Sequence, residues 1–178
     1  MIASRKHQRG LTLIELSLSL AISLAIAGVA ATLYVQSNQA ATYERARQET
    51  LQVVSAVTQM ASTGPRADIN AETVGASGLV SAYMVEGTEL LHSLDGEFLV
   101  AEDDIAGGNA RAMSVTLTGL NQAECAEMAS SLAERFDVVV AGATTLRDET
   151  STPVLESTRV EALAACDGGQ DVAFFFVP

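Results

Sequence analysis

Hydrophobic residues are distributed unevenly along this chain. Between Leu11 and Tyr43 the only charged side chain is Glu15, and the run of 20 residues from Leu16 to Val35 carries no charge at all. At about 1.5 Å per residue, a helix over that run would cross a hydrocarbon layer of roughly 30 Å. Beyond Val35 polar residues return, while Ala40, Tyr43, Ala46, Leu51, Val54, Val57 and Met60 keep apolar positions mostly three or four apart. Gly64 and Pro65 form the first stop signal. The pattern predicts one helix from about Thr12 to Thr63, on the order of 78 Å long. Gly28 is its internal weak point, costing about 1 kcal/mol relative to alanine.

Further along the period changes. Residues 65–96 read as a connector punctuated by Gly75, Gly78 and Gly87, with one or two short helices suggested by Asn70-Ala71-Glu72 and by the apolar run from Leu79 to Val85. Phe98 to Ala101 is a short apolar run, and Met113, Val115 and Leu117 alternate with Ser114, Thr116 and Thr118, the period-two signature of a strand. The acidic stretch 102–109 between them reads as a hairpin loop. Asn121 followed by Glu124 opens a helix with a capping box and sets Cys125, Met128, Ala129, Leu132 and Phe136 on one face. Asp137 to Ala141 predicts a strand, and 142–157 a polar loop. Thr158 and Glu161 form a second capping box, for a short helix ending at Cys166. Val172 to Val177 is apolar on both faces, so this last strand is expected inside a sheet covered on both sides.

Composition narrows the function. The 178 residues allow one compact domain and one extended element. Arg5, Lys6 and Arg9 sit ahead of the apolar run; without those three cations the formal charge falls from −12 to −15, with no lysine left. So acidic a chain repels phosphate backbones, which disfavours nucleic-acid binding through a basic patch. Cys125 and Cys166 are the only cysteines and lack CxxC spacing or a histidine cluster, which speaks against zinc. They are either one disulfide or two buried thiols, and the choice turns on whether this part is exported. The acids of 102–109 lack the ordered spacing of a calcium loop, so a solvated turn is expected and no metal. His92 is the only histidine beyond residue 10, without a G-x-S-x-G, H-E-x-x-H, Walker or dinucleotide pattern. A structural histidine is expected there, with no catalytic residue and no cofactor.

Three readings compete for residues 1–35: a secretory signal, a simple anchor, and a specialised export signal. The basic residues hold their end in the cytoplasm and send the rest outward, and export favours the Cys125–Cys166 disulfide. Glu15 separates the readings, because an ionisable side chain at the head of a membrane segment is costly and functional by default. Gly10-Leu11-Thr12-Leu13-Ile14-Glu15 resembles the class III signal of type IV prepilins. The resemblance implies cleavage after Gly10 by a prepilin peptidase, N-methylation of Leu11, and retention of the apolar helix. Glu15 then offsets the new α-amino group and sets register between subunits.

The order of elements in the rest of the chain is similar to type IVb major pilins. That resemblance implies an α+β fold, with a long N-terminal helix packed on an antiparallel β-sheet head, the pilin αβ-roll. The expected organisation is a leader (1–10), a helix (11–63, of which 11–35 lie in the membrane or filament core) and a head (64–178) with a disulfide-bounded C-terminal region. It further implies a homo-oligomeric helical filament, an assembly platform with its ATPase as partners, and passage from the bacterial inner membrane to a surface filament serving adhesion, aggregation or motility. A minor pilin and a type II secretion pseudopilin share the signal. An exported enzyme or binding domain on a retained anchor is the alternative from another class.

Overall fold

The computed structural model describes residues 13–104, 111–149, 155–156 and 159–178. Helix α1 (Leu13–Thr63) runs unbroken for 51 residues, through Gly28, where an added Cβ would meet nothing within 4 Å. Backbone contacts divide the chain into residues 1–40 and 41–178. In the first unit Ile14 and every residue from 16 to 40 are exposed. In the second, α1 buries a stripe made of Ala46, Glu49, Thr50, Val53, Ala56 and Val57. This stripe is offset from the apolar positions expected from sequence: Tyr43, Leu51, Val54 and Met60 flank the core rather than enter it. Two polar residues occupy its centre. The Thr50 hydroxyl donates to the Ala46 carbonyl at 2.8 Å, which lets a hydroxyl sit in a dry contact without an orphaned proton.

The connector holds a 3₁₀ turn (Arg66–Asp68) and α2 (Ala71–Ala76), capped by the Asn70 side chain on the Thr73 N–H at 2.9 Å. The second helix expected from Leu79 to Val85 is absent. A single 3₁₀ turn (Ala82–Met84) leads instead into the hairpin β1 (Val85–Glu86) and β2 (Glu89–His92), closed at Gly87 with φ +64°. Strands this short are too brief to show a period.

Next come β3 (Gly96–Asp104) and β4 (Arg111–Leu117). The acidic stretch expected as loop begins inside the sheet: Glu102, Asp103 and Asp104 stand opposite Met113, Ala112 and Arg111. Alternation along the strand exposes Asp103 and leaves Glu102 half-buried; residues 105–110 lie outside the described set. Helix α3 (Gln122–Leu132) opens on the expected box, with the Asn121 side chain accepting the Glu124 N–H at 3.1 Å and Glu124 accepting the Asn121 N–H at 2.9 Å. It ends before Phe136, which follows a 3₁₀ turn at Ala133–Arg135.

The expected loop 142–157 contains two further strands. After β5 (Val138–Ala141), β6 (Thr144–Asp148) returns through a turn at Gly142, φ +55°, and β7 (Leu155–Glu156) pairs with β6. Helix α4 (Arg159–Ala165) and β8 (Val172–Phe176) complete the chain; the capping residue Thr158 lies outside the described set.

Among the described residues eight strands form one antiparallel sheet in the order β1-β2-β3-β4-β8-β5-β6-β7. The final strand sits between β4 and β5, as its two-sided apolarity requires. Val172, Phe174 and Phe176 enter the main core with Phe98, Met113, Val115, Leu117 and the α1 stripe. Phe175 covers the opposite face with Ala112, Val138 and Val140. The architecture is α+β, a long helix with an antiparallel sheet.

Candidate functional site

No catalytic constellation was expected, so the functional site is sought in three places: the apolar half of α1, the cysteine pair, and the surroundings of His92. Along α1 the exposure is unusual for its chemistry. Ile14, Leu16, Leu20, Ile22, Leu24 and Ile26 are each at least half exposed, and the helix contains an 18-residue window of mean hydropathy 2.1 with none of it buried. Four of its hydroxyls are satisfied within the helix. Ser17, Ser19, Ser23 and Thr32 donate to carbonyls three or four residues back at 2.8–2.9 Å. A hydroxyl bonded in this way carries little desolvation cost into an apolar medium. Glu15 lies in the first described turn of α1, whereas Gly10 and Leu11 lie outside the described residues.

The two cysteines are joined. Cys125 on α3 and Cys166, the residue after α4, form a disulfide with Cα atoms 5.8 Å apart, and both are fully buried. The bond ties the two helices together six residues before β8 enters the sheet. Gly168 and Gly169 make the turn between them with φ near +80°. At Gly169 a Cβ would stand 2.8 Å from the Leu120 carbonyl, so only glycine fits.

His92 is buried, at 5% exposure. Its Nε2 lies 3.1 Å from the Thr118 carbonyl, and its Nδ1 accepts the Leu94 N–H at 3.2 Å. That pair of partners selects the neutral ring with the proton on Nε2. Burial pushes its pKa below the ordinary value, against smaller opposing effects of the Thr118 carbonyl, Glu49, Glu124 and Asp95. The ring meets Phe98 edge to face at 5.2 Å, and a Cβ on Gly96 would collide with both the ring and the Thr118 carbonyl. His92 is thus a structural residue with both nitrogens engaged. Its neighbour Glu49, which sequence reasoning did not single out, is 1% exposed and accepts the Ser93 N–H at 2.8 Å. The only signal available for it was its position, three residues after Ala46 and four before Val53 on the buried stripe.

Among the described residues no group of three or more His, Cys, Asp or Glu is arranged to hold a metal ion.

A long helix with a bare apolar N-terminal part, followed by an antiparallel sheet with its last strand inside, defines a type IV pilin-like protein. The chain belongs to the PilS N-terminal family, whose model matches residues 39–177, and it carries the prokaryotic N-terminal methylation motif over residues 5–31. Its fold is similar to the crystal structure of the type IV b pilin from Salmonella typhi, with a TM-score of 0.60 and 14% identity, covering 75% of this chain and 98% of that one. A second similar structure is TcpA, a type IV pilin from Vibrio cholerae El Tor, with a TM-score of 0.46 and 21% identity over the same shares. No curated protein matches the chain.

Proposed function

We propose that this chain is a prepilin whose mature form is the major structural subunit of a type IVb-like pilus. In this reading residues 1–10 are the leader, cut after Gly10 by a prepilin peptidase that also methylates Leu11. Residues 11–35 hold the subunit in the bacterial inner membrane until an assembly platform and its ATPase draw it into a surface filament. Residues 64–178 form the head displayed on that filament. The observation that carries the reading is the run of exposed apolar side chains from Ile14 to Val35, most of which lies within the methylation motif matched over residues 5–31. In water such a face would associate without order. In lipid, and then in a bundle of identical helices, it is buried twice over at little difference in free energy, because lipid tails are as apolar as leucine.

Glu15 is assigned to register. Cleavage leaves an α-amino group at Leu11, and a carboxylate one turn on is the nearest group able to offset it, within one subunit or between two. Glu15→Ala is therefore expected to leave a cleaved, membrane-held subunit with filament yield down by about tenfold or more, and an undiminished yield refutes the assignment. Mass spectrometry of sheared surface filaments tests the whole reading. It should find this chain as the dominant component, beginning at methylated Leu11 and carrying an oxidised cysteine pair. A trace amount would make it a minor pilin, and an unprocessed N-terminus would overturn the signal assignment.

A further inference from the structure

The dipeptide Asp-Gly occurs twice in this chain, as Asp95-Gly96 and Asp167-Gly168. It is chemically reactive because glycine has no side chain to hinder the approach of its nitrogen to the preceding aspartate. Attack on Cγ joins that nitrogen to the side chain, and the N–H proton leaves with the carboxyl hydroxyl as water. The product is a five-membered succinimide. Water then reopens the ring. Addition at the main-chain carbonyl breaks the original peptide bond and returns a proton to the nitrogen, so the chain runs on through the side chain as isoaspartate, with no net change of atoms.

Both aspartates are exposed, so the two sites differ in what holds the glycine. Gly96 opens β3 opposite His92, and a Cβ there would strike the Thr118 carbonyl and the His92 ring. The backbone on either side is fixed as well: His92 Nδ1 accepts the Leu94 N–H at 3.2 Å, and the Thr118 hydroxyl accepts the Glu97 N–H at 3.3 Å. The Gly96 nitrogen therefore cannot swing toward Cγ without lifting the start of β3 from its neighbours. Gly168 is free of such packing. It lies past the end of α4 in an exposed turn at φ +80°, where a Cβ would meet nothing within 4 Å. Among the described residues its N–H donates to no acceptor, and the Asp167 carboxylate accepts no hydrogen bond. The bonds that span the turn run from the Asp167 N–H to the Ala164 carbonyl at 3.4 Å, from the Gly169 N–H to the Cys166 carbonyl at 3.1 Å, and from the Gln170 amide to the Asp167 carbonyl at 3.3 Å. A turn held this loosely opens locally at a small fraction of the global unfolding free energy.

We propose that Asp167 is a site of spontaneous isomerisation to isoaspartate in the folded protein, while the fold protects Asp95 in the same dipeptide. The location gives the modification a consequence. Cys166 is pinned to Cys125 by the disulfide, and Gly169 packs against the Leu120 carbonyl. The methylene inserted into the main chain thus lengthens a connection held at both ends, and this connection feeds β8 into the centre of the sheet. None of this depends on the pilus-subunit reading.

The test ages the full-length chain in detergent at neutral pH, with a parallel sample unfolded in urea and reductant. Proteolysis followed by electron-transfer fragmentation distinguishes isoaspartate from aspartate at equal mass. In the folded chain isoaspartate should form at position 167 about tenfold or more faster than at 95, a ratio falling to about one in urea, where neither site is protected. Equal rates in the folded chain, a faster reaction at 95, or no isoaspartate at 167 while both sites react in urea each overturn the proposal. Asp167→Glu, whose longer side chain needs a six-membered ring, should abolish the reaction at 167 and leave Asp95 as slow as before. The urea midpoint of the folded parent should fall as isoaspartate accumulates and hold steady in Asp167→Glu; a midpoint indifferent to isoaspartate overturns the consequence drawn for β8.

Discussion

Opening the bond between Cys125 and Cys166 probes how the centre of the sheet is assembled. The bond closes a loop with a sequence separation of 41 residues, which contains the rest of α3, β5, β6, β7 and α4. In the chain-entropy treatment, releasing such a loop in the unfolded state costs the native head about 4 kcal/mol. Two structural features argue that the cost appears in full. Both sulfurs are fully buried, so no solvent contact compensates for the lost bond. The strand that follows, β8, must insert between β4 and β5, and its entry point is set by the Cys166 end of the bond. Urea unfolding of the full chain in detergent, followed by circular dichroism with and without reductant, measures the difference. For a urea slope near 2 kcal/mol per molar, the midpoint should fall by about 2 M, and Cys125→Ala with Cys166→Ala should reproduce the reduced protein. A shift below about 0.5 M would refute the reasoning, because it would show that α3 and α4 hold each other without the bond.

Three further perturbations test other parts of the head. Because the folded pKa of His92 lies below its ordinary value, the unfolded chain takes up the proton first. Stability should fall as pH drops below about 6.5 and level off beneath the folded pKa; urea midpoints measured from pH 7.5 to 5 should show this slope, and His92→Gln should lack it. Phe174 is fully buried and packs on Phe136 with ring centroids 4.7 Å apart. Phe174→Ala should destabilise the head by about 3–5 kcal/mol in the same unfolding assay. Gly169→Ala forces a Cβ toward the Leu120 carbonyl at φ +79°, and a loss of about 1–3 kcal/mol in thermal or urea unfolding is expected.

How much of this was legible in the sequence depended on how long each pattern ran. The 51-residue α1, the capping box at Asn121 and Glu124, and the internal position of β8 each follow from several residues agreeing on one period or one cap. The hairpin of β1 and β2 did not emerge because strands of two and four residues hold no measurable period between glycines. Strand β6 reads as loop because Leu146, its only buried side chain, is also its only apolar one; its other positions are polar, and tertiary pairing to β5 overrides their weak preference. Glu49 was invisible for a different reason. Charge in a helical stripe ordinarily means a solvated face, and only three-dimensional structure shows the connector at Ser93 folding over it. The proposed site residues Gly10, Leu11 and Glu15 stand at the opposite extreme: a local motif marks them out, and no tertiary contact is needed to find them.

The apolar positions of α1 and the one carboxylate at its head divide the labour of the proposed assembly. An apolar surface transferred from lipid into a bundle of identical helices exchanges one hydrocarbon environment for another, so burial supplies cohesion with little preference for a particular axial offset. Rows of leucine and isoleucine such as Leu16, Leu20 and Leu24 can slide past their neighbours by a turn and find equivalent contacts. Register therefore has to come from groups that lose heavily when mispaired. A buried carboxylate is such a group, because displacement by one turn leaves it desolvated without its cation. Glu15 fills that position in the proposed helical core. If it acts this way, Glu15→Ala should lower filament yield while leaving the level of processed, membrane-held subunit unchanged.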